Sequence, residues 1–471
     1  MLKKNLDSVP GFEDGEVTSL FWTAPLRSLL FSLTIIFSFS VALAAQVASP
    51  TAGATPQATV YGSGFQIPLE FEGERAPANQ VSLGVGVTSL FDDNVLGTNN
   101  DRVSDEALSF SPRLAVERQT KRLTLSFSYD PFFILYRQLT AYDRTNHAGN
   151  LSLTYRLSSR FALGLQDSLS YQNGLYPTLT DQPILSGPPS PSGPNGIIIP
   201  YTVRTLTDTS GLYLTFMKSR RTSVALTGGY TRMQYGTGSQ SPTARLYNST
   251  GLSGGVTFQH YVTQHTSLGL LLLHQDVSYQ GGEFLGSRLR TQIESAYLSL
   301  ASVLSPTASI TLFGGPQYVR SLNPTVPAAI LSAHFQPSGG GTFTKQVRNS
   351  AFDLSVIRSV TDGGGVYASV VNNRVTLGAR HRLVGRWEGS CRVGAAREDA
   401  SLFQFANGRI DGVIGGVSIS RPLLSHGSVF HVSYDTMHQL STGPLPISLN
   451  FDRNQVAVGF DYQLKSLNFG R

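Results

Sequence analysis

The side chains with the most chemistry to offer lie late in the chain. Arg374, Arg380 and Arg382 recur at even spacing with Thr376 and Gly378, while Val375, Leu377 and Ala379 take the alternate positions. After Leu383-Val384-Gly385 come Arg386, Glu388, Ser390 and Arg392, opposed by Trp387 and Val393. A period of two places each set on one side of a strand. A three-residue turn, with Gly385 at the position that wants a positive φ, then sets Arg380 across from Glu388 and Arg382 across from Arg386. Arginine rows of this kind favour anions and grip phosphate or sugar hydroxyls through forked hydrogen bonds. The same spacing also serves cross-strand bracing between Arg and Glu.

Other candidates are weaker. Asp92, Asp93, Asn94, Asn99, Asn100, Asp101 and Asp105 supply oxygen ligands, but their spacing departs from a calcium loop and suits turns. Gly251 to Gly255 matches G-x-S-x-G inside what reads as an uninterrupted strand, where a nucleophile elbow needs a strand-to-helix turn. His426, His431 and His438 share no ligand spacing. A single cysteine, Cys391, excludes an internal disulfide and a Cys-based zinc site, and its parity puts it on the apolar face. No phosphate loop and no catalytic carboxylate pair stands out. The expectation is a protein that is not an enzyme, with no cofactor and no resident metal.

The elements that carry these residues announce themselves between Asn150 and Gln172. Leu151, Leu153, Tyr155 and Leu157 alternate with Ser152, Thr154 and Arg156; Ser158 and Ser159 reverse the chain. Phe161, Leu163, Leu165, Leu169 and Tyr171 then alternate with small and polar residues, Asp167 being the exception on the apolar side. One face is greasy with aromatics at its ends, the other small and polar with few charges. Such a ribbon suits a wall between hydrocarbon and water. Only 14% of the 471 residues are charged, and the formal net charge of +6 is carried mostly by Arg. That bias is too thin for a nucleic-acid partner. Beyond the N-terminal region no apolar run is long enough for a membrane-crossing helix.

The pattern predicts strands at about 80–91, 106–118, 123–137, 146–157, 160–172, 202–216, 222–235, 247–261, 266–280, 289–304, 308–320, 335–346, 351–360, 367–382, 386–397, 409–421, 428–438 and 453–464. Short and long links alternate between them, as in an outer-membrane barrel with periplasmic turns and external loops. The fold class is therefore all-β: a transmembrane antiparallel up-and-down β-barrel of about 18 strands (16–18) after an N-terminal signal peptide. Residues 1–45 read as that signal peptide with a long n-region, its apolar stretch Leu29 to Leu43 closing on Ala42-Leu43-Ala44. Residues 46–79, rich in Ala, Pro, Thr and Gly, read as a periplasmic linker too short for a plug domain, and 80–471 as the barrel. The link 173–201 holds seven prolines and stays out of the ladder. Pro112, Pro131 and Pro316 fall inside strands and mark bulges or strand ends, and Leu270 to Leu273 is apolar on both faces.

Phe91-Asp92-Asp93-Asn94 closes a strand with Gly84 and Gly86, and Asn99, Asn100 and Asp101 follow. Leu108-Ser109-Phe110-Ser111-Pro112, Tyr129, Tyr136, Asp143 and Asn146-His147 complete a pattern in the first third of the chain. It resembles the outer-membrane β-barrel porins associated with exopolysaccharide export. The resemblance implies a cell outer membrane location in a Gram-negative envelope and a porin-like channel for saccharide, exopolysaccharide or anionic solutes. Expected partners are outer-membrane lipids and lipopolysaccharide, the barrel assembly machinery, and a saccharide substrate or polysaccharide-export proteins. The C-terminus departs from the usual aromatic ending, leaving Tyr462 and Phe469 as candidate recognition aromatics. The alternative is a surface receptor or structural barrel with no open channel.

Overall fold

The computed structural model describes residues 79–173, 204–236, 247–280, 289–322, 333–363, 367–400, 408–423, 427–443, 450–464 and 466–468. The segments expected as signal peptide and linker, nearly all of the proline-rich link, His426 and Phe469 lie outside them.

Twenty hydrogen-bonded segments form one antiparallel sheet. Two of them, Leu123–Tyr129 and Phe132–Tyr136, are halves of one stave broken at Asp130-Pro131, and Leu467–Asn468 is a short tail paired to Gln80 and Val81. Eighteen staves remain. In chain order they are β1 (Gln80–Asp92), β2 (Asp105–Gln119), β3 (Leu123–Tyr136 with its break), β4 (Arg144–Arg156), β5 (Phe161–Asn173) and β6 (Arg204–Met217). β7 (Thr222–Gly236), β8 (Asn248–Tyr261), β9 (Thr266–Gln280), β10 (Leu289–Ser305), β11 (Ala308–Leu322) and β12 (Ala333–Val347) follow. β13 (Ser350–Gly363), β14 (Tyr367–Arg382), β15 (Glu388–Ala400), β16 (Arg409–Pro422), β17 (Ser428–Thr442) and β18 (Phe451–Gln463) complete the set. Each pairs with the next, and β1 pairs with β18 from Gly84↔Gln463 to Asp92↔Gln455, so the sheet closes on itself. Closure removes the free edges that an open sheet would present.

Alternation decides the two faces. On β9, Leu268, Leu270 and Leu272 are exposed while Ser267, Leu271 and Gln275 are buried. The exposed set forms an apolar outer band that includes Leu226, Phe258, Leu298, Leu312, Leu354, Leu377, Val417 and Val456. Aromatic clusters edge the band on one side of the barrel. Phe161 and Phe216 meet at 4.9 Å near the short turns, and Tyr129, His147 and Tyr171 meet at 6.1–6.2 Å higher up. Phe161 to Tyr171 spans about 34 Å of strand at roughly 3.4 Å per residue. Tilted by about 40°, that rises about 26 Å, the height of a transmembrane barrel's apolar belt. Above the belt the outer face turns to ion pairs, such as His274–Glu294, Arg290–Asp276 and Arg397–Asp411.

The awkward prolines explain themselves by pairing. Pro112 and Pro131 face each other where the β2–β3 ladder lapses between Leu114↔Tyr129 and Phe110↔Phe133. Pro316 stands opposite Pro337, and the β10–β11 ladder lapses beside it between Ser295↔Gln317 and Leu298↔Gly314. Proline brings no ladder N–H, so opposing two prolines gathers the loss in one place. Asp167 does lie on the outer face, where its carboxylate accepts a hydrogen bond from Ser210 Oγ at 2.5 Å. The doubly apolar run on β9 is also real: Leu271 points inward and packs with Tyr297 and Phe313, with Leu273 against them.

Candidate functional site

The arginine-bearing hairpin is β14–β15. Its connection is longer than three residues: Leu383 to Trp387 intervene, with Val384–Arg386 as one tight helical turn. Gly385 takes φ +69°, the left-handed conformation its position calls for. The longer turn corrects the expected register. Arg382 faces Glu388, Arg380 faces Ser390, Gly378 faces Arg392 and Arg374 faces Ala396. Arg386 belongs to neither strand; it occupies the turn at φ +79°, so it does not oppose Arg382 and does not join the row on the wall.

The other five do share the inner face. Arg380 reaches diagonally to Glu388, Nε to Oε1 at 3.2 Å, which leaves that carboxylate between Arg380 and Arg382. Asp353 on β13 stands opposite Gly378. A Cβ at 378 would lie 2.5 Å from both of its carboxylate oxygens, so glycine there lets Asp353 lie across the strand, within electrostatic reach of Arg392 and Arg380. Arg374 has Glu398 as its electrostatic partner, and Asn372 Nδ2 donates to Glu398 Oε1 at 3.2 Å. Carboxylates therefore accompany the arginines along the wall. A matched row braces neighbouring staves, and it also presents forked donors beside acceptors to whatever enters the lumen.

A second lumenal row crosses the closing seam. His431 Nδ1 lies 3.2 Å from Asp461 Oδ2, and Arg113 Nη2 lies 3.7 Å from Asp461 Oδ1. Gly459 and Gly86 clear the space: a Cβ on the first would sit 2.3 Å from His431 Nε2, and on the second 2.6 Å from Asp461 Oδ1. His438 is on the outer face with Asp452, so it and His431 are not brought together.

The oxygen-rich first link works as a turn. Asn94 Oδ1 accepts from Thr98 N–H, Asn99 Oδ1 from Asp452 N–H, and Asp105 Oδ2 from the N–H groups of Gln138 and Leu139. Among the described residues no cluster of His, Cys, Asp or Glu could hold a metal. Gly251 to Gly255 lies within the unbroken strand β8.

One constellation was missed by the sequence reading. Asp92 at the end of β1 and Arg453 at the start of β18 form a fully buried ion pair. Arg453 Nε is 3.1 Å from each Asp92 oxygen and Nη2 is 2.5 Å from Oδ2. Asn94 N–H and Gln455 Nε2 also donate to Asp92, at 3.0 and 3.1 Å. Beside it, Arg144 packs over the Tyr136 ring at 5.4 Å. The available signal was parity: a lone acid and a lone base at inward positions of the first and last staves.

A closed antiparallel sheet with an apolar outer belt and an inner wall that carries the polar and charged side chains defines a transmembrane β-barrel, and an outer-membrane protein. Comparison with known proteins adds no closer identity. No protein-family model matches the sequence, and no curated protein does. Among solved structures the chain is similar to the outer membrane protein OpdK from Pseudomonas aeruginosa, with 12% identity and a TM-score of 0.42 over 82% of this chain and 99% of that one. It is likewise similar to OpdO from Pseudomonas aeruginosa (12% identity, TM-score 0.42, 83% and 98% covered). OccAB4 from Acinetobacter baumannii stands at 11% identity and a TM-score of 0.41, with 83% and 99% covered.

Proposed function

We propose that this barrel is a porin-like channel that lets small polar solutes diffuse across the outer membrane. The observation that carries the reading is the inner wall of the closed eighteen-stave sheet. Its described lumen-facing positions include many Ser, Thr, Gln, Arg and carboxylate side chains interspersed with apolar clusters such as Leu271, Tyr297 and Phe313, whereas the outer positions at the same height are Leu, Val and Phe. Barrels of 16 to 18 strands are wide enough to enclose water.

The solute is read from the balance of charge. Arg380, Arg374 and Arg392 each have a carboxylate within electrostatic reach, so the wall offers hydrogen-bonding forks without a strong net field. Such a wall suits hydroxyl-rich, uncharged solutes, saccharides among them, better than small anions. Purified protein in a planar lipid bilayer tests this. We expect steady open-channel current, a reversal potential near zero in a potassium chloride gradient, and current block by added oligosaccharide. A reversal potential near the chloride limit would restore the anion reading, and no current at all would leave the receptor or structural barrel.

A further inference from the structure

The upper end of β13 parts from β12 and turns inward, while β14 beside it stays laddered to β15 as far as Val370↔Ala400. The β13 ladder to β12 runs from Val347↔Ser350 up to Gly339↔Arg358 and stops there, while β12 continues to pair with β11 up to Arg320↔Ala333. Above Arg358, β13 pairs only with β14. Where it departs, its backbone crosses the inner side of Gly340: a Cβ there would lie 2.3 Å from the Val356 carbonyl oxygen and 3.1 Å from Ile357 Cα. No other residue type leaves room for that crossing. Ser338 Oγ, on the inner face of β12, donates to the Arg358 carbonyl at 2.9 Å.

The inturned edge of the sheet, β13 with β14 beside it, then lies against the inside of the wall two and three staves away. By parity Val360 and Val371 are on its outer face, yet both are buried, and they pack on Ile293 of β10 and Val319 of β11, which point into the lumen. Only an inward-folded edge brings its outer face onto their inner face. The Val360 N–H donates to Gln317 Oε1 at 3.0 Å, and Gln317 Nε2 donates to Ser295 Oγ at 3.3 Å. At the foot of the fold, Arg358 Nη1 donates to Asn373 Oδ1 at 2.6 Å and Nε to the Pro337 carbonyl at 3.2 Å, which ties the departing strand to the β12 edge. The apolar residues on the inner face of β10 and β11 thereby gain a physical reason, since they are the seat of this second layer.

We propose that this tongue, Ser359–Thr361 with Val370–Asn372, is the size-setting element of the channel. The inference rests on the channel reading above. Face-to-face sheet layers stand about 10 Å apart, so a second layer inside the wall takes about that much from the bore. On its free side the β13 edge is held by an apolar seam of four side chains and the Val360–Gln317 hydrogen bond, while on the other side β14 stays laddered to β15 through Asn372↔Glu398 to Val370↔Ala400. Loss of the seam lets the β13 edge swing away from β10 and β11 about the β14–β15 ladder, which keeps the barrel closed.

The test compares wild type with Val360→Asp and with the near-isosteric double variant Val360→Thr and Val371→Thr, each confirmed folded by its heat-dependent gel migration. Single-channel current is read in planar bilayers with polyethylene glycols of graded size in the bath. The proposal expects at least a two-fold rise in conductance and admission of larger polymers, greater for the Asp variant; the double Thr variant reads the same way should the Asp variant not fold. Wild-type current with an unchanged polymer limit in the folded variants would overturn the tongue's role and leave the channel reading intact. Absence of current in wild type and variants alike would overturn both.

Discussion

Asp92→Asn and Arg453→Gln each break the ion pair that joins the first and last staves, and the structure sets how much this costs. The side chains are 0% and 4% exposed, so neither is screened by water. Removing one partner of a buried pair leaves an uncompensated charge and costs about 3–5 kcal/mol, against about 0–1 for an exposed pair. The two substitutions are not equivalent. With Arg453 gone, Asp92 keeps the Asn94 N–H and the Gln455 amide as donors. With Asp92 neutral, Arg453 loses its nearest carboxylate and remains buried near the cationic Arg144, with Asp93 the remaining acid in electrostatic reach. Asp92→Asn is therefore the costlier change. A double replacement, Asp92→Leu with Arg453→Met, removes both charges and should recover to within about 1 kcal/mol of wild type. The assay is reversible urea unfolding from detergent or lipid, followed by tryptophan fluorescence and by heat-dependent gel migration. A loss below about 1 kcal/mol for both single variants would refute the reasoning, because the seam would then be no more than a surface contact.

Two further outcomes follow from the assignment of faces. Leu377→Arg puts a charge on the hydrocarbon side of β14 and should cost about 2–4 kcal/mol in the same unfolding assay, whereas Thr376→Arg, one residue earlier on the inner side, should be close to neutral; equal costs would mean the faces are misassigned. Cys391 is exposed on the outer face beside Val393. In lipid it should react with an apolar maleimide and resist a charged one, and rapid labelling by the charged reagent would place that position in water.

Much of this architecture was legible in one dimension. Alternation of apolar and polar residues has a period of two, and a slip of one residue would turn every Leu of β9 or β14 from lipid to lumen. Strand number, strand limits to within four residues, the identity of the outer face and the short-long rhythm of the links all follow from that period, because each is a local property of consecutive residues. Pro131 was legible as a bulge or strand end for the same reason, since a missing N–H is a property of the residue itself.

What the tertiary structure decided depends on residues distant in sequence. The register of β14 on β15 turned on whether Leu383 to Trp387 or a shorter stretch made the turn, and a change of two residues leaves every side chain on its face while altering every partner. Arg386 was lost from the lumenal row for that reason, and Asp353 joined it from another strand through the space at Gly378. Asp92 and Arg453 meet only because the sheet closes, so parity marks each as inward without naming its partner. Nor does alternation alone say that Val360 and Val371 face a second layer of protein: outward parity normally means lipid, and only the inward fold at Gly340 reverses it. Local pattern selects the face of a residue, while the path of the whole ribbon selects what that face meets.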